Sequence, residues 1–135
     1  MLTILEGIDA AQAARAPIAG GHSIWELVLH VTGWKREVAQ RLRGAPAGDP
    51  ASGDWPPVGE TSAARWQAAL GDLDAAHREL VAATEALPES RLFEPTNDPR
   101  NRPLGTGVSY YVLLHGAVQH DVYHAGQIAL LKKGA

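Results

Sequence analysis

The chain contains no cysteine, which excludes disulfides, thiolate metal sites and a cysteine nucleophile from all 135 residues. Any thiol chemistry must take its sulfur from a bound molecule. An excess of basic charge is also missing: 12 Lys and Arg stand against 15 Asp and Glu, for a net charge of -3 and a pI near 6.0. Such a surface offers no field for a phosphate backbone, so no nucleic-acid partner is expected. No apolar run approaches the length of a membrane span. The opening MLTILEGIDAAQAARAP lacks the positive start and continuous apolar stretch of a signal peptide. No membrane partner is expected, and the expected location is cytoplasmic. What remains is 45% apolar and 20% charged, close to the composition of folded globular proteins. One domain over residues 1–135 is expected.

Period-two alternation is absent, and the periodic segments are helical. Leu2, Leu5, Ile8 and Ala11 or Gln12 predict a first helix ending before Pro17. Ser23 followed by Glu26 has capping-box spacing, so a second helix opens there and runs to Gly44. Ile24, Leu27, Val31, Trp34 and Val38 form its inward stripe. Residues 44–60 hold too many breakers for a helix, with Trp55-Pro56-Pro57 at the centre. The alanine-rich stretch from Ser62, with Trp66, Leu70, Leu73, Leu80 and Leu87, predicts a third helix stopping at Pro88. Residues 88–107 form a second long irregular connection, of the kind that often serves as a lid. The last helix opens between Thr106 and Ser109 and ends at Lys132 and Lys133, where its dipole favours cations. Four such helices make an all-α four-helix bundle. About 15 extended residues reach roughly 50 Å, enough for the first connection to cross over between parallel second and third helices.

Six histidines are present, and they are unequal. His120 and His124 are one helical turn apart, which stacks their side chains near enough for a single ion. That spacing alone also arises on exposed faces, where it means nothing. Here the pair shares a stripe with Val112 or Leu113, Gly116, Ala117, Ile128 and Leu131, so both rings are expected to face inward. His30, in line with Leu27, Trp34 and Val38, faces inward from the second helix. A single buried histidine is usually just hydrogen-bonded in place, but three neutral imidazoles on two facing helices suit one divalent ion.

The other candidates are weaker. His115 falls off the face of the pair and reads as packing or support, His77 as exposed, and His22 as a helix entrance or pocket mouth. Asp121, in H-D-V-Y-H, echoes the zinc-protease pattern H-E-x-x-H but is one methylene shorter than the glutamate of that motif. Glu26 and Glu37 lie one and two turns from His30 and could accept an imidazole N–H, or simply cap and solvate the helix. Trp34, Trp55, Tyr110 and Tyr123 are anchors and candidate pocket walls. Arg100 and Arg102 are the cations of the second connection.

The segments H-D-V-Y-H-A-G-Q-I at 120–128 and W-E-L-V-L-H-V at 25–31 resemble the DinB/YfiT-like superfamily of bacterial metal-binding four-helix bundles. The resemblance spans essentially the whole chain, and H-x-x-x-H-x-G-Q is its more specific part. It implies an up-down-down-up bundle, frequently dimeric, with a three-histidine site at His30, His120 and His124. It implies one divalent metal ion there, with zinc or nickel foremost and iron, manganese or cobalt also possible. Characterised relatives include transferases that join low-molecular-weight thiols such as bacillithiol or mycothiol to electrophiles, and related isomerases.

Three functions stay open at this level. Neutral ligands leave the ion its full charge, so an open position can acidify a bound substrate thiol for attack on an electrophile. The same position can acidify water for hydrolysis, which calls for a carboxylate base such as Asp121 or Glu37. A fourth ligand would instead close the site and make the metal structural, in a non-catalytic binding module. The resemblance favours the thiol transferase with a small-molecule substrate.

Overall fold

Each of the three long helices is opened by a serine whose hydroxyl takes the amide three residues on. Ser23, Ser62 and Ser109 cap helices that contain Glu26, Arg65 and Val112 at those positions. The computed structural model describes residues 2–99 and 108–134, leaving out the side chain of Leu2. Within them lie α1 (Leu2–Leu5), α2 (Ala10–Ala14), α3 (Ile24–Leu42), α4 (Ala63–Glu85) and α5 (Tyr110–Lys133), with a 3-10 turn at Glu89–Arg91. The Ser23–Glu26 capping box forms as its spacing predicts, with Ser23 N–H donating to the Glu26 carboxylate at 2.7 Å. Among the described residues there is no strand, only an isolated bridge between Pro95 and Ser109.

The single first helix expected from Leu2, Leu5 and Ile8 is replaced by two short ones. Gly7 sits at φ 77°, a left-handed conformation that a right-handed helix cannot pass through. Asp9 and Gln12 then build a second capping box that restarts the helix as α2.

Directions follow from which residues pair. Trp25 meets Trp66 at 5.1 Å between ring centroids, Arg36 reaches Asp72 and Glu79, and Val38 and Leu42 share a cluster with Ala83. Numbers rise together, so α3 and α4 run parallel, and the connection between them returns along the molecule. Against α5 the numbers run oppositely: Ile128 and Leu131 pack with Ile24 and Val28, while Tyr110 and Leu113 pack with Val38 and Leu42. α5 is therefore antiparallel to α3. The N-terminal turns close one end, where Trp66 Nε1 donates to the Ile8 carbonyl at 2.8 Å and Lys132 donates to the carbonyls of Ile4 and Glu6.

The core comprises two apolar clusters, one around Trp25, Val28, Trp66 and Ile128, the other around Ala39, Leu42 and Tyr110. Each fully buried aliphatic side chain there contributes about 1.5–3 kcal/mol. Between the clusters, on the α3–α5 seam, lie the polar residues of the next section. The first connection is pinned to α3 at Gly33, where an added Cβ would stand 3.0 Å from both Pro50 and Ser52. That close approach brings residues 54 and 55 onto the seam. The two connections also touch, Ala47 N–H donating to the Asn97 carbonyl at 3.0 Å.

α5 departs from an ordinary amphipathic helix. Val112, Val118, Val122, Tyr123 and Leu130 are exposed, so apolar residues lie on its outer face as well as its inner one. Among the described residues no helix is long and apolar enough to cross a membrane.

Candidate metal centre

His30 projects from the second turn of α3, and His120 and His124 from successive turns of α5. Because the helices are antiparallel, the first half of α3 faces the middle of α5, and the three rings meet. His30 Nε2 lies 3.0 Å from His120 Nε2, and His124 Nε2 lies 3.1 Å from the same atom. One ring nitrogen from each falls within 4.8 Å of the others, and His30 and His124 are buried.

The outer nitrogens decide which way the inner ones point. His30 Nδ1 faces the Asp54 backbone carbonyl at 2.7 Å, which can only accept, so Nδ1 carries the proton and Nε2 holds a lone pair. His124 Nδ1 faces Gln127 Oε1 at 2.6 Å, while the other end of that amide donates to Tyr123 Oη at 3.3 Å. His124 Nε2 is therefore also a lone pair. His120 Nε2 looks at both and carries at most one proton to share between them. A cation satisfies all three nitrogens at once.

Nitrogen ligands around a tetrahedral ion at 2.0–2.1 Å are roughly 3.3 Å apart, and adjacent ones around an octahedral ion roughly 2.9 Å. The two separations that involve His120, 3.0 and 3.1 Å, fall between, while the group as a whole spans up to 4.8 Å. Neutral imidazoles are needed, and the surroundings supply them. Burial, followed by the proximity of His124 and His30, pushes the His120 pKa down to about 4. Burial also lowers that of His124, against the opposing hydrogen bond from Gln127.

Aromatic rings wall the group. Trp55, from the first connection, stacks on His30 at 3.9 Å and 11° and carries His22 on its other face at 3.5 Å and 2°. Trp34 stands edge-on to His30 and His120 and donates its Nε1–H to the Asp54 carboxylate at 2.7 Å. Asp54 thus holds both a ring wall and the tautomer of a candidate ligand.

The remaining predicted candidates have other partners. Glu37 accepts from Arg41 and from the Gly48 N–H, each at 2.9 Å. Glu26 belongs to the capping box and lies 3.8 Å from His22; the Ser23 backbone N–H holds its carboxyl below the usual range. Asp121 is ion-paired to Lys35, whose side chain is only 4% exposed. His115 is exposed and lies tilted against Tyr111 at 4.3 Å between ring centroids, and His77 is exposed on α4. Tyr123 is exposed but stays beside the site, edge-on to His124 at 5.0 Å between ring centroids and supporting Gln127. Arg100 and Arg102 lie outside the described residues.

Sequence reading gave no role to Asp54 or Lys35, and held Gln127 only as the last letter of H-x-x-x-H-x-G-Q. Gln127 had a signal, since position i+3 from His124 shares its face. Asp54 faces His30 Nδ1 with its backbone carbonyl at 2.7 Å and its carboxylate at 3.2 Å, a meeting across 24 residues that no local spacing marks. Lys35 meets Asp121 across 86 residues of chain, and nothing local marks it.

The fold and site define an all-α protein with three histidine nitrogens converging on the seam between two antiparallel helices. The chain belongs to the DinB superfamily, whose family model matches residues 1–128. No curated protein and no solved structure matches it.

Proposed function

We propose that the chain is a metalloprotein with one divalent ion held by His30, His120 and His124, on an up-down-down-up four-helix frame, and that it acts as a metal-dependent thiol transferase. The observation that carries the metal reading is the fixed tautomers: two lone pairs directed at one shared nitrogen, in a group of three within 4.8 Å. A bound divalent ion would supply Lewis acidity, holding a substrate thiol as its thiolate at neutral pH. The protein's own work is positional. The Asp54 carbonyl and Gln127 Oε1 orient the outer ligands, and the Trp55 indole over His30 excludes water from that side. Zinc or nickel suits three neutral imidazoles.

Thiol transfer is preferred to hydrolysis on a specific ground. Asp121 is engaged by Lys35, and Glu37 by Arg41 and Gly48, so neither carboxylate is placed as a base for water. It is preferred to a structural metal because the group has three members among the described residues, one fewer than a closed zinc site. The exposed apolar face of α5 supports a homodimer. The test is a conjugation assay with a broad aryl electrophile and a panel of low-molecular-weight thiols. Turnover that needs both metal and thiol, and is lost in His124→Ala, supports the transferase. Ester or amide cleavage without thiol would move the function to hydrolysis.

A further inference from the structure

Beside the three histidines, toward the start of α5, a cavity of about 310 Å³ opens between α3, α4 and α5. Its size is at the lower end of small-molecule sites, which run from roughly 300 to 1,000 Å³. Val38, Leu80, Leu113 and Ala117 line it, Val112 stands in its wall, and His120 is the one candidate ligand exposed in it. The cavity therefore ends at the ring whose Nε2 joins the other two.

Charge decides what it can hold. Among the described residues, three ionic side chains touch the cavity, and each is engaged: Lys35 is paired with Asp121, and Arg41 is held by Glu37 and the Gly48 carbonyl. Arg41 also lies over the Trp34 ring at 5.6 Å. An anionic ligand would have to break one of these partnerships, whereas a neutral apolar group replaces only water. Gly116 faces the same space, and a Cβ built on it meets nothing within 4 Å.

We propose that this cavity is the subsite for the electrophilic substrate, and that it selects a neutral aromatic or aliphatic group, with His120 marking the end nearest the reacting atoms. The assignment rests on the metal reading for its role in turnover, but apolar binding itself needs no metal. Specificity then lies in volume and apolar contact rather than in charge recognition.

The probe is N-phenyl-1-naphthylamine, a neutral fluorophore whose emission rises in apolar surroundings, titrated into the full chain with and without bound zinc. One saturable site is expected in both forms. Gly116→Leu, whose Cβ enters open space at the cavity wall, should weaken binding at least tenfold, about 1.4 kcal/mol, at unchanged zinc stoichiometry. Val122→Ser, on the exposed face of α5, should leave it unchanged. Addition of the probe should also shift the His120 ring proton resonances of the unmodified chain, a readout independent of any variant. Probe binding that survives Gly116→Leu, or that is lost in Val122→Ser, would overturn the assignment. So would absence of probe binding in a chain that takes up zinc. Probe binding by a chain that takes up no zinc would keep the apolar subsite and refute the metal reading instead.

Discussion

Lys35 and Asp121 allow a prediction in which the two halves of one ion pair behave differently. The Lys35 side chain is 4% exposed and that of Asp121 is 28% exposed. Removing the carboxylate leaves an ammonium with little water and no counter-charge, whereas removing the ammonium leaves a carboxylate that water still reaches. Breaking a fully buried pair typically costs about 3–5 kcal/mol. Water entering where the carboxylate stood would ease that, so Asp121→Ala should destabilise by about 2–3 kcal/mol. Lys35→Met keeps the aliphatic stem and should lose about 1 kcal/mol or less. Lys35→Met with Asp121→Leu should return to within about 1 kcal/mol of the original, because no charge is left unpaired. The assay is urea unfolding of chelator-treated protein at neutral pH, so that metal linkage does not mask the difference. With slopes of about 1–3 kcal/mol per molar urea, the Asp121→Ala midpoint should fall by about 0.7–3 M. Equal losses for the two single variants, or a larger loss for Lys35→Met, would refute the asymmetry.

Further outcomes follow from the same geometry. Replacing Gln127 by Leu removes the acceptor that orients His124, so metal affinity should fall about 10–100-fold by competitive chelator titration, while Tyr123→Phe stays close to the original. The metal-free protein should lose stability as pH falls below about 6.5. The His120 pKa is lowered to about 4 in the folded state, so the unfolded chain takes up the proton first, and the loss levels off near pH 4. Discounted for the solvent access of this half-buried ring, the loss should be about 1–2 kcal/mol by urea midpoints at pH 7 and 4.5. A gain over that interval would contradict the sign. Trp66→Phe deletes the donor to the Ile8 carbonyl and part of the packing against Trp25, and should cost about 2–3 kcal/mol in thermal or urea unfolding.

What could be read from the sequence was what the chain decides locally. Ser23 and Glu26 mark the start of α3 because a capping box needs only four consecutive residues, and Pro88 limits α4 for a similar reason. His120 and His124 are a pair by helical spacing alone. Their meeting with His30 required only that two helices be antiparallel neighbours. The N-terminal segment was misread because its apolar spacing is helical, while one glycine at positive φ cuts it in two. The inward stripe of α5 was only partly legible, since Val112, Val118 and Val122 are as apolar as the buried Ile128 and Leu131, and periodicity then loses its contrast. Asp54 and Lys35 depend on contacts far along the chain, one of them through a backbone carbonyl, and these appear only once the fold is in place.

The central claim is that three imidazoles share one ion, and the most direct measurement is elemental analysis of the purified, zinc-reconstituted chain beside His30→Ala, His120→Ala and His124→Ala. About one zinc per chain in the original and little in any of the three variants is expected. No zinc in the original after reconstitution, or full occupancy retained by His120→Ala, would contradict the account.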